Sequence, residues 1–328
     1  MKPQILVARA IFPDLLARLA ETFEVESNQQ DRIFNRDELA RALSGKDGAF
    51  ITGSERIDAI VLDANPQLKA LCNMAVGYNN IDVDACTARG VLVTNTPDVL
   101  TETTADFGFA LMMAAARRIS ESEHFLRRGE WTQWSYDMFT GSDVHGATLG
   151  ILGMGRIGQA IAQRGALGFG MKVIYHNRSR LDEATEARFG ARYVGKEALL
   201  READHLVLVV PYSPASHHAI GAVELRLMKP TATLTNIARG GVVDDAALAD
   251  ALRERRIAAA GLDVFEGEPS VNPALLTLSN VVLTPHIASA TVATRRAMAG
   301  LAADNLVAAL TGGRPPTPVN ADALAQRR

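Results

Sequence analysis

The stretch Leu149-Gly150-Ile151-Leu152-Gly153-Met154-Gly155-Arg156-Ile157-Gly158-Gln159-Ala160-Ile161-Ala162 decides how the chain is read. An apolar strand runs into a GxGxxG loop, and a helical pattern runs out of it. Gly153 permits a tight turn, Gly155 lets the backbone approach a pyrophosphate, and Gly158 allows a helix to pack closely on a sheet. The N–H groups and positive end of that helix form an anion site. The loop from Gly153 through Met154, Gly155, Arg156 and Ile157 to Gly158 is therefore expected to bind a dinucleotide. A purely structural strand-to-helix turn is the competing explanation.

A second strand, Lys172 to His176, follows in the required order and ends in Asn177-Arg178-Ser179-Arg180. NAD-selective sites carry an acidic residue about 20 positions on, which binds the ribose 2′-hydroxyl. Asn177 stands 19 residues after Gly158, and no carboxylate is present. A guanidinium with a small hydroxyl or amide matches a 2′-phosphate instead. Asn177, Arg178 and Ser179 are thus expected to favour NADP(H), with NAD(H) possible, unless Arg178 and Arg180 are only solvated surface charges.

Outward from the loop, short apolar runs alternate with helical patterns. Before it come Ile5 to Ala8, Phe23 to Glu26, Ala49 to Thr52, Leu68 to Val76 and Val91 to Asn95; after it come Arg192 to Val194, His205 to Val210, Thr231 to Ile237, Ala258 to Leu262 and Val281 to Thr284. Such alternation predicts parallel βαβ units. The expected fold is α/β, with two open parallel sheets of Rossmann-like and flavodoxin-like type. A nucleotide domain over 101–286 would be inserted in a discontinuous substrate domain formed by 1–100 and 287–328.

Ala105 to Arg118 predicts a long helix, apolar almost all round and so buried on most faces. Arg127 to Gly146 has no clear period but holds Trp131, Trp134, Tyr136 and Phe139, a candidate contact surface in an aromatic-poor chain. Thr291 to Leu310 predicts a last helix, and Gly312-Gly313-Arg314-Pro315-Pro316 a terminal tail.

Composition excludes whole classes of partner. The 328 residues carry 34 basic and 37 acidic side chains, a net charge of −3, which offers no electrostatic footprint for nucleic acid or an anionic membrane. The longest apolar stretches, Phe107 to Ala116 and Leu206 to Pro211, fall far short of the roughly 20 residues a bilayer crossing needs. No signal-peptide pattern precedes Arg9, so a cytoplasmic location is expected. Cys72 and Cys86 lack metal-ligand spacing and are expected to be buried thiols, with no metal site.

Three strings carry chemistry: Asn236-Ile237-Ala238-Arg239-Gly240-Gly241, Leu262 to Pro269, and Thr284-Pro285-His286-Ile287-Ala288-Ser289. Each follows a strand, and open α/β sheets bind ligands beyond the carboxyl ends of their strands. Arg239 can clamp a carboxylate and polarise a neighbouring carbonyl. His286 is the natural proton donor near neutrality, and a hydrogen-bonded Glu268 favours its protonated form. That is the kit for reducing a small 2-oxo acid. Singly, each has a bland reading as a loop histidine, a structural ion pair or a solvated acid. His124, His145, His176, His205, His217 and His218 show no matching partner and are expected to be structural.

These strings, with Val76 to Asp82, Asn95-Thr96-Pro97, Thr104-Ala105-Asp106 and Pro211, resemble the D-isomer-specific 2-hydroxyacid dehydrogenases over nearly the whole chain. Within that family the chain looks most like the glyoxylate/hydroxypyruvate reductases, including those acting on 2-ketogluconate. The resemblance implies that Arg239, Glu268 and His286 are catalytic. It implies that backbone groups of Val76 and Gly77 hold the substrate carboxylate, that Ser289 lines the pocket, and that Asp263 faces the nicotinamide amide. Thr104, Pro211 and Ile237 would border the cofactor, and the segment after Thr101 would form a homodimer. The alternatives are a dehydrogenase of another or bulkier hydroxy acid, and a dinucleotide-sensing co-repressor without catalysis, against which the retained Arg239, Glu268 and His286 argue.

Overall fold

The computed structural model describes residues 1–325. The chain forms two compact units, Thr101–Ala290 and Met1–Leu100 together with the chain from Thr291 onward. Among the described residues, no helix is long and apolar enough to cross a membrane.

In the first unit, β1 (Gln4–Val7), β2 (Glu24–Ser27), β3 (Gly48–Ile51), β4 (Ala70–Asn73) and β5 (Leu92–Thr94) make one parallel sheet in the order β2-β1-β3-β4-β5. Because side chains alternate along a strand, Leu6 and Ala8 pack with Leu39, Ile51 and Leu71 on one face. Ile5 and Val7 pack with Leu19, Phe50, Ala302 and Leu306 on the other. The helix Val292–Thr311 covers that second face. Its Ala299, Ala302 and Ala303 keep the approach to the sheet close, and a Cβ at Gly48 would lie 2.9 Å from Leu310.

The segment expected to trail as a tail does not. Beyond Pro315, Pro318 bridges Thr94 in antiparallel sense, and the Val319 N–H donates to Val93 O at 2.8 Å. Buried Asn320 accepts from Val93 N–H and donates to Val91 O. This segment satisfies the open edge of β5, which otherwise presents unpaired backbone groups.

In the second unit, β6 (Thr148–Leu152), β7 (Lys172–His176), β8 (Arg192–Tyr193), β9 (His205–Leu208), β10 (Thr233–Asn236), β11 (Ala259–Leu262) and β12 (Val281–Leu283) run parallel in the order β12-β11-β10-β9-β6-β7-β8. The strand order reverses between β6 and β9, the position at which doubly wound sheets open a crevice. Leu149 and Ile151 pack with Phe109, Met112 and Ile161 on one face. Leu206 and Leu208 pack with Leu200, Leu234 and Leu252 on the other. Both sheets are α/β and all-parallel, as expected.

The helix expected over Ala105 to Arg118 runs Thr101–Ala116. Arg118 turns left-handed at φ +54°, and a further helix, Ile119–Arg127, follows. Trp131, Trp134 and Tyr136 are exposed, Tyr136 at 85%. Phe139 is not part of that open surface: its ring packs edge-on to Phe125 and beneath the Arg118 guanidinium.

Candidate active site

The glycine loop crosses the end of β6. Gly153 has φ +103°, and a Cβ there would lie 2.8 Å from the Val209 and Val210 backbone. A Cβ at Gly158 would lie 2.3 Å from Gly153 O, so helix and strand touch only because both residues are glycine. Gly155 has nothing within 4 Å of that position. It begins the helix Arg156–Gln163, which has no side-chain cap and no acid in its first turn. Other helices of the chain are capped by Asp58, Asp82, Asp182 and Asp244. This one leaves its first N–H groups and positive end to an anion, with no carboxylate to compete. Nearby on the Thr101–Ala116 helix, the hydroxyl of buried Thr104 has no hydrogen-bond partner. Open space, uncapped donors and an orphaned hydroxyl all fit a bound dinucleotide phosphate.

The loop after β7 separates the two arginines of the motif. Arg180 donates Nε and Nη2 to Glu186 at 2.9 and 2.7 Å, and Glu186 also accepts from the Tyr175 hydroxyl at 2.6 Å. Tyr175 in turn accepts the Leu181 N–H. Arg180 and Tyr175 hold the Glu186 carboxyl down to about 2. Arg180 is therefore a loop anchor rather than a solvated charge, whereas exposed Arg178 has no ion-pair partner among the described residues. The Asn177 side-chain oxygen Oδ1 accepts from Met154 N–H at 2.6 Å, tying the loop to the glycine turn. Ser179 is exposed beside it.

Arg239 follows β10 on a turn closed by buried Asn236, which accepts from Ala238 N–H and donates to Arg239 O. A Cβ at Gly240 would lie 1.7 Å from Phe265 O, so only glycine lets this turn lie against the chain segment that carries Glu268. Burial pulls the Arg239 guanidinium below its ordinary value, and the Glu268 charge acts in the opposite sense. Glu268 Oε1 accepts from Phe265 N–H and Oε2 meets His286 Nδ1, both at 2.8 Å. Burial pushes the Glu268 carboxyl up, but the His286 hydrogen bond and charge, the Phe265 N–H and Arg239 outweigh it and hold it below its ordinary value. An ionised carboxylate only accepts, so Nδ1 carries the hydrogen and Nε2 is the nitrogen that exchanges a proton.

Asp263 supplies a part that the sequence reading missed. It is 1% exposed at the end of β11, and its Oδ1 accepts from Thr284 Oγ1 and Ile287 N–H at 2.7 and 2.8 Å. Its Oδ2 accepts from Ala288 N–H at 2.9 Å, and its backbone carbonyl from His286 N–H. One carboxylate thus clamps the turn on which His286 sits at φ +53°. Two of these donors fall on Oδ1 and one on Oδ2, which keeps acceptor capacity, so the clamp is compatible with the expected contact with a nicotinamide amide. The only sequence signal is an aspartate ending a strand next to the histidine's strand.

Among the remaining expected residues, Ile237 is buried against the helix at Gly108, Pro211 is exposed after β9, and Ser289 is half-buried after the His286 turn. Val76 and Gly77 lie in the first unit after β4, where their carbonyls accept from Asn95 and Asn73 side chains. Of the histidines expected to be structural, His205 is buried between Thr233 Oγ1 and Asp143 O, His176 contacts Val194 O, and His218 alone of these three meets a carboxylate, that of Glu266. Burial pulls the His205 imidazole below its ordinary value, against the Asp143 hydrogen bond and the Asp204 charge.

A doubly wound sheet with an uncapped glycine loop, and an Arg and a Glu–His pair beyond its strand ends, defines an NAD(P)-dependent oxidoreductase. The chain belongs to the D-isomer specific 2-hydroxyacid dehydrogenases, whose NAD binding domain matches residues 109–288. It is 49% identical over 332 aligned positions to a glyoxylate reductase of Thermococcus kodakarensis, covering 100% of this chain and 99% of that one. An NADPH-dependent glyoxylate/hydroxypyruvate reductase from Sinorhizobium meliloti, solved with NADP and malonate, is 38% identical with a TM-score of 0.86 and 98% of both chains covered. The TT0316 protein of Thermus thermophilus is 41% identical with a TM-score of 0.89, covering 96% of this chain and 99% of that one.

Proposed function

We propose that the chain reduces small 2-oxo acids, glyoxylate to glycolate and hydroxypyruvate to D-glycerate, with NADPH preferred over NADH. The observation that carries the reading is the Glu268–His286 pair at 2.8 Å, beside the Arg239 turn. Arg239 binds the substrate carboxylate and polarises the carbonyl, and Val76 and Gly77 offer backbone N–H groups for the same carboxylate. His286 Nε2 gives its proton to the carbonyl oxygen, and Glu268 holds the ring in the tautomer that permits this. Bound nicotinamide supplies the hydride. Ser289 lines the substrate pocket, while Thr104, Pro211 and Ile237 border the cofactor.

Unit Thr101–Ala290 is the nucleotide domain in this reading, and the other unit the substrate domain. The absence of a carboxylate from Asn177 to Arg180, with Arg178 exposed, supports NADPH. The chain is a homodimer through the segment after Thr101, with Trp131, Trp134 and Tyr136 as its apolar contact. Oxidation of NADPH and NADH with a panel of 2-oxo acids tests the activity: turnover of glyoxylate with NADPH is expected, and cofactor binding without turnover overturns it. A monomeric mass in solution would overturn the dimer.

A further inference from the structure

Away from Arg239, Glu268 and His286, one cluster has the chemistry of a metal site. The imidazoles of His217 and His218 stack with centroids 3.9 Å apart and planes 23° from parallel. His218 Nε2 lies 3.1 Å from Glu266 Oε2. One ligand atom from each of His217, His218 and Glu266 lies within 4.8 Å of the other two. Adjacent residues of an extended chain send their side chains to opposite sides. The left-handed backbone of His218, φ +48°, breaks that alternation and leaves the two rings side by side.

An ion pair between His218 and Glu266 accounts for two of the three groups. It leaves a nitrogen of the second imidazole within 4.8 Å of both. The supports of the cluster are those of a held ligand set. The Tyr212 hydroxyl lies 3.2 Å from His217 Nδ1, and Asp244 Oδ2 lies 3.9 Å from His218 Nδ1, the nitrogen not facing Glu266. The His218 N–H donates to Gly241 O at 2.7 Å, and the Glu266 N–H to buried Asp245 at 3.0 Å. Gly241 itself, at φ +79°, comes so close that a Cβ would lie 3.0 Å from the Tyr212 ring.

We propose that His217, His218 and Glu266 bind one divalent cation of borderline softness, such as Zn2+, with water in the remaining position and the Asp244 charge behind His218. Two imidazoles and one carboxylate suit zinc, nickel or copper rather than magnesium or calcium, which prefer all-oxygen sites. Asp244, 3.9 Å from the far ring nitrogen, adds negative charge behind His218. His217 and Glu266 are exposed, so a cation enters from solvent without unfolding. Glu266 precedes Glu268 by two residues and Gly241 follows Arg239 by two, which places the cation against both segments.

The test is calorimetric titration of the chelator-treated full chain with Zn2+, alongside thermal unfolding with and without the metal. One equivalent is expected to bind and to raise Tm, while Mg2+ at the same concentration raises nothing. His217→Ala, His218→Ala and the isosteric Glu266→Gln each lower Zn2+ affinity by about tenfold or more, in the range that ligand-shell changes produce. Absence of a Zn2+ equivalent in the parent chain overturns the site. So does Zn2+ binding that persists in the His217→Ala/His218→Ala double variant, or an equal Tm rise with Mg2+.

Discussion

His286 Nδ1 and Glu268 Oε2 stand 2.8 Å apart, and the other oxygen of the same carboxylate takes the Phe265 N–H, so neither oxygen is left to rotate. The histidine consequently presents one defined nitrogen outward. His286→Ala is expected to lower kcat for glyoxylate by about 10²- to 10⁴-fold, the range of a positioned general acid, with an unchanged circular dichroism spectrum. Undiminished kcat would remove His286 from the reaction.

Glu268 also sets an acid limit. Its folded value is depressed, so the pair contributes stability above the ordinary carboxyl value of 4.5 and loses it as pH falls through the lower folded value. Activity should therefore persist to pH below 4.5 as far as this group is concerned, and then fall. In Glu268→Gln, kcat is lower throughout and that acid limb is absent. A parallel acid limb in both proteins, measured in pH-rate profiles, would assign it elsewhere.

Arg239→Lys keeps a charge but loses the planar fork. A charge-assisted hydrogen bond is worth about 1.5–3 kcal/mol, so kcat/KM for glyoxylate should fall by roughly ten- to a hundredfold. Steady-state kinetics at saturating NADPH read this directly, and a fall of less than twofold would exclude bidentate binding of the carboxylate.

The two arginines after β7 should separate cleanly. Arg178→Ala is expected to raise KM for NADPH by about tenfold or more while leaving KM for NADH nearly unchanged, because only one cofactor carries the 2′-phosphate. Arg180→Ala removes the Glu186 partner and loosens the loop, so both KM values rise together. Equal effects of Arg178→Ala on the two cofactors would refute the NADPH preference. Glu186 also predicts where this anchor fails: its contribution is complete above 4.5 and is lost as pH falls toward about 2.

What the sequence disclosed and withheld follows from the range of each interaction. Gly153 and Gly158 announce themselves because backbone geometry forces glycine at both within a few residues, with Gly155 left open between them. The alternating apolar runs disclose both parallel sheets for the same local reason. The sequence offers Arg180 only as a solvated charge because its partner Glu186 lies beyond the next helix cap. The hold of Asn320 on β5 spans more than two hundred residues, and no local pattern marks it. His218 and Glu266 meet across 48 residues through a left-handed turn that no propensity would assign to histidine.

Asp263 is the sharpest case, because its partners are mainly backbone N–H groups, which every sequence supplies. Asp263→Asn substitutes an amide for one acceptor oxygen, so a new N–H faces the donors at Ile287, Ala288 or Thr284. Leaving a buried donor unsatisfied costs about 1–3 kcal/mol, which for a unit of this size lowers Tm by about 2–4 °C per kcal/mol. The His286 turn loosens with it, so kcat falls while KM for NADPH stays near the parent value. Were Asp263 to bind the nicotinamide amide instead, KM for NADPH would rise and Tm would hold. Thermal unfolding and the kcat-against-KM split in one variant therefore distinguish a clamp on His286 from a cofactor contact.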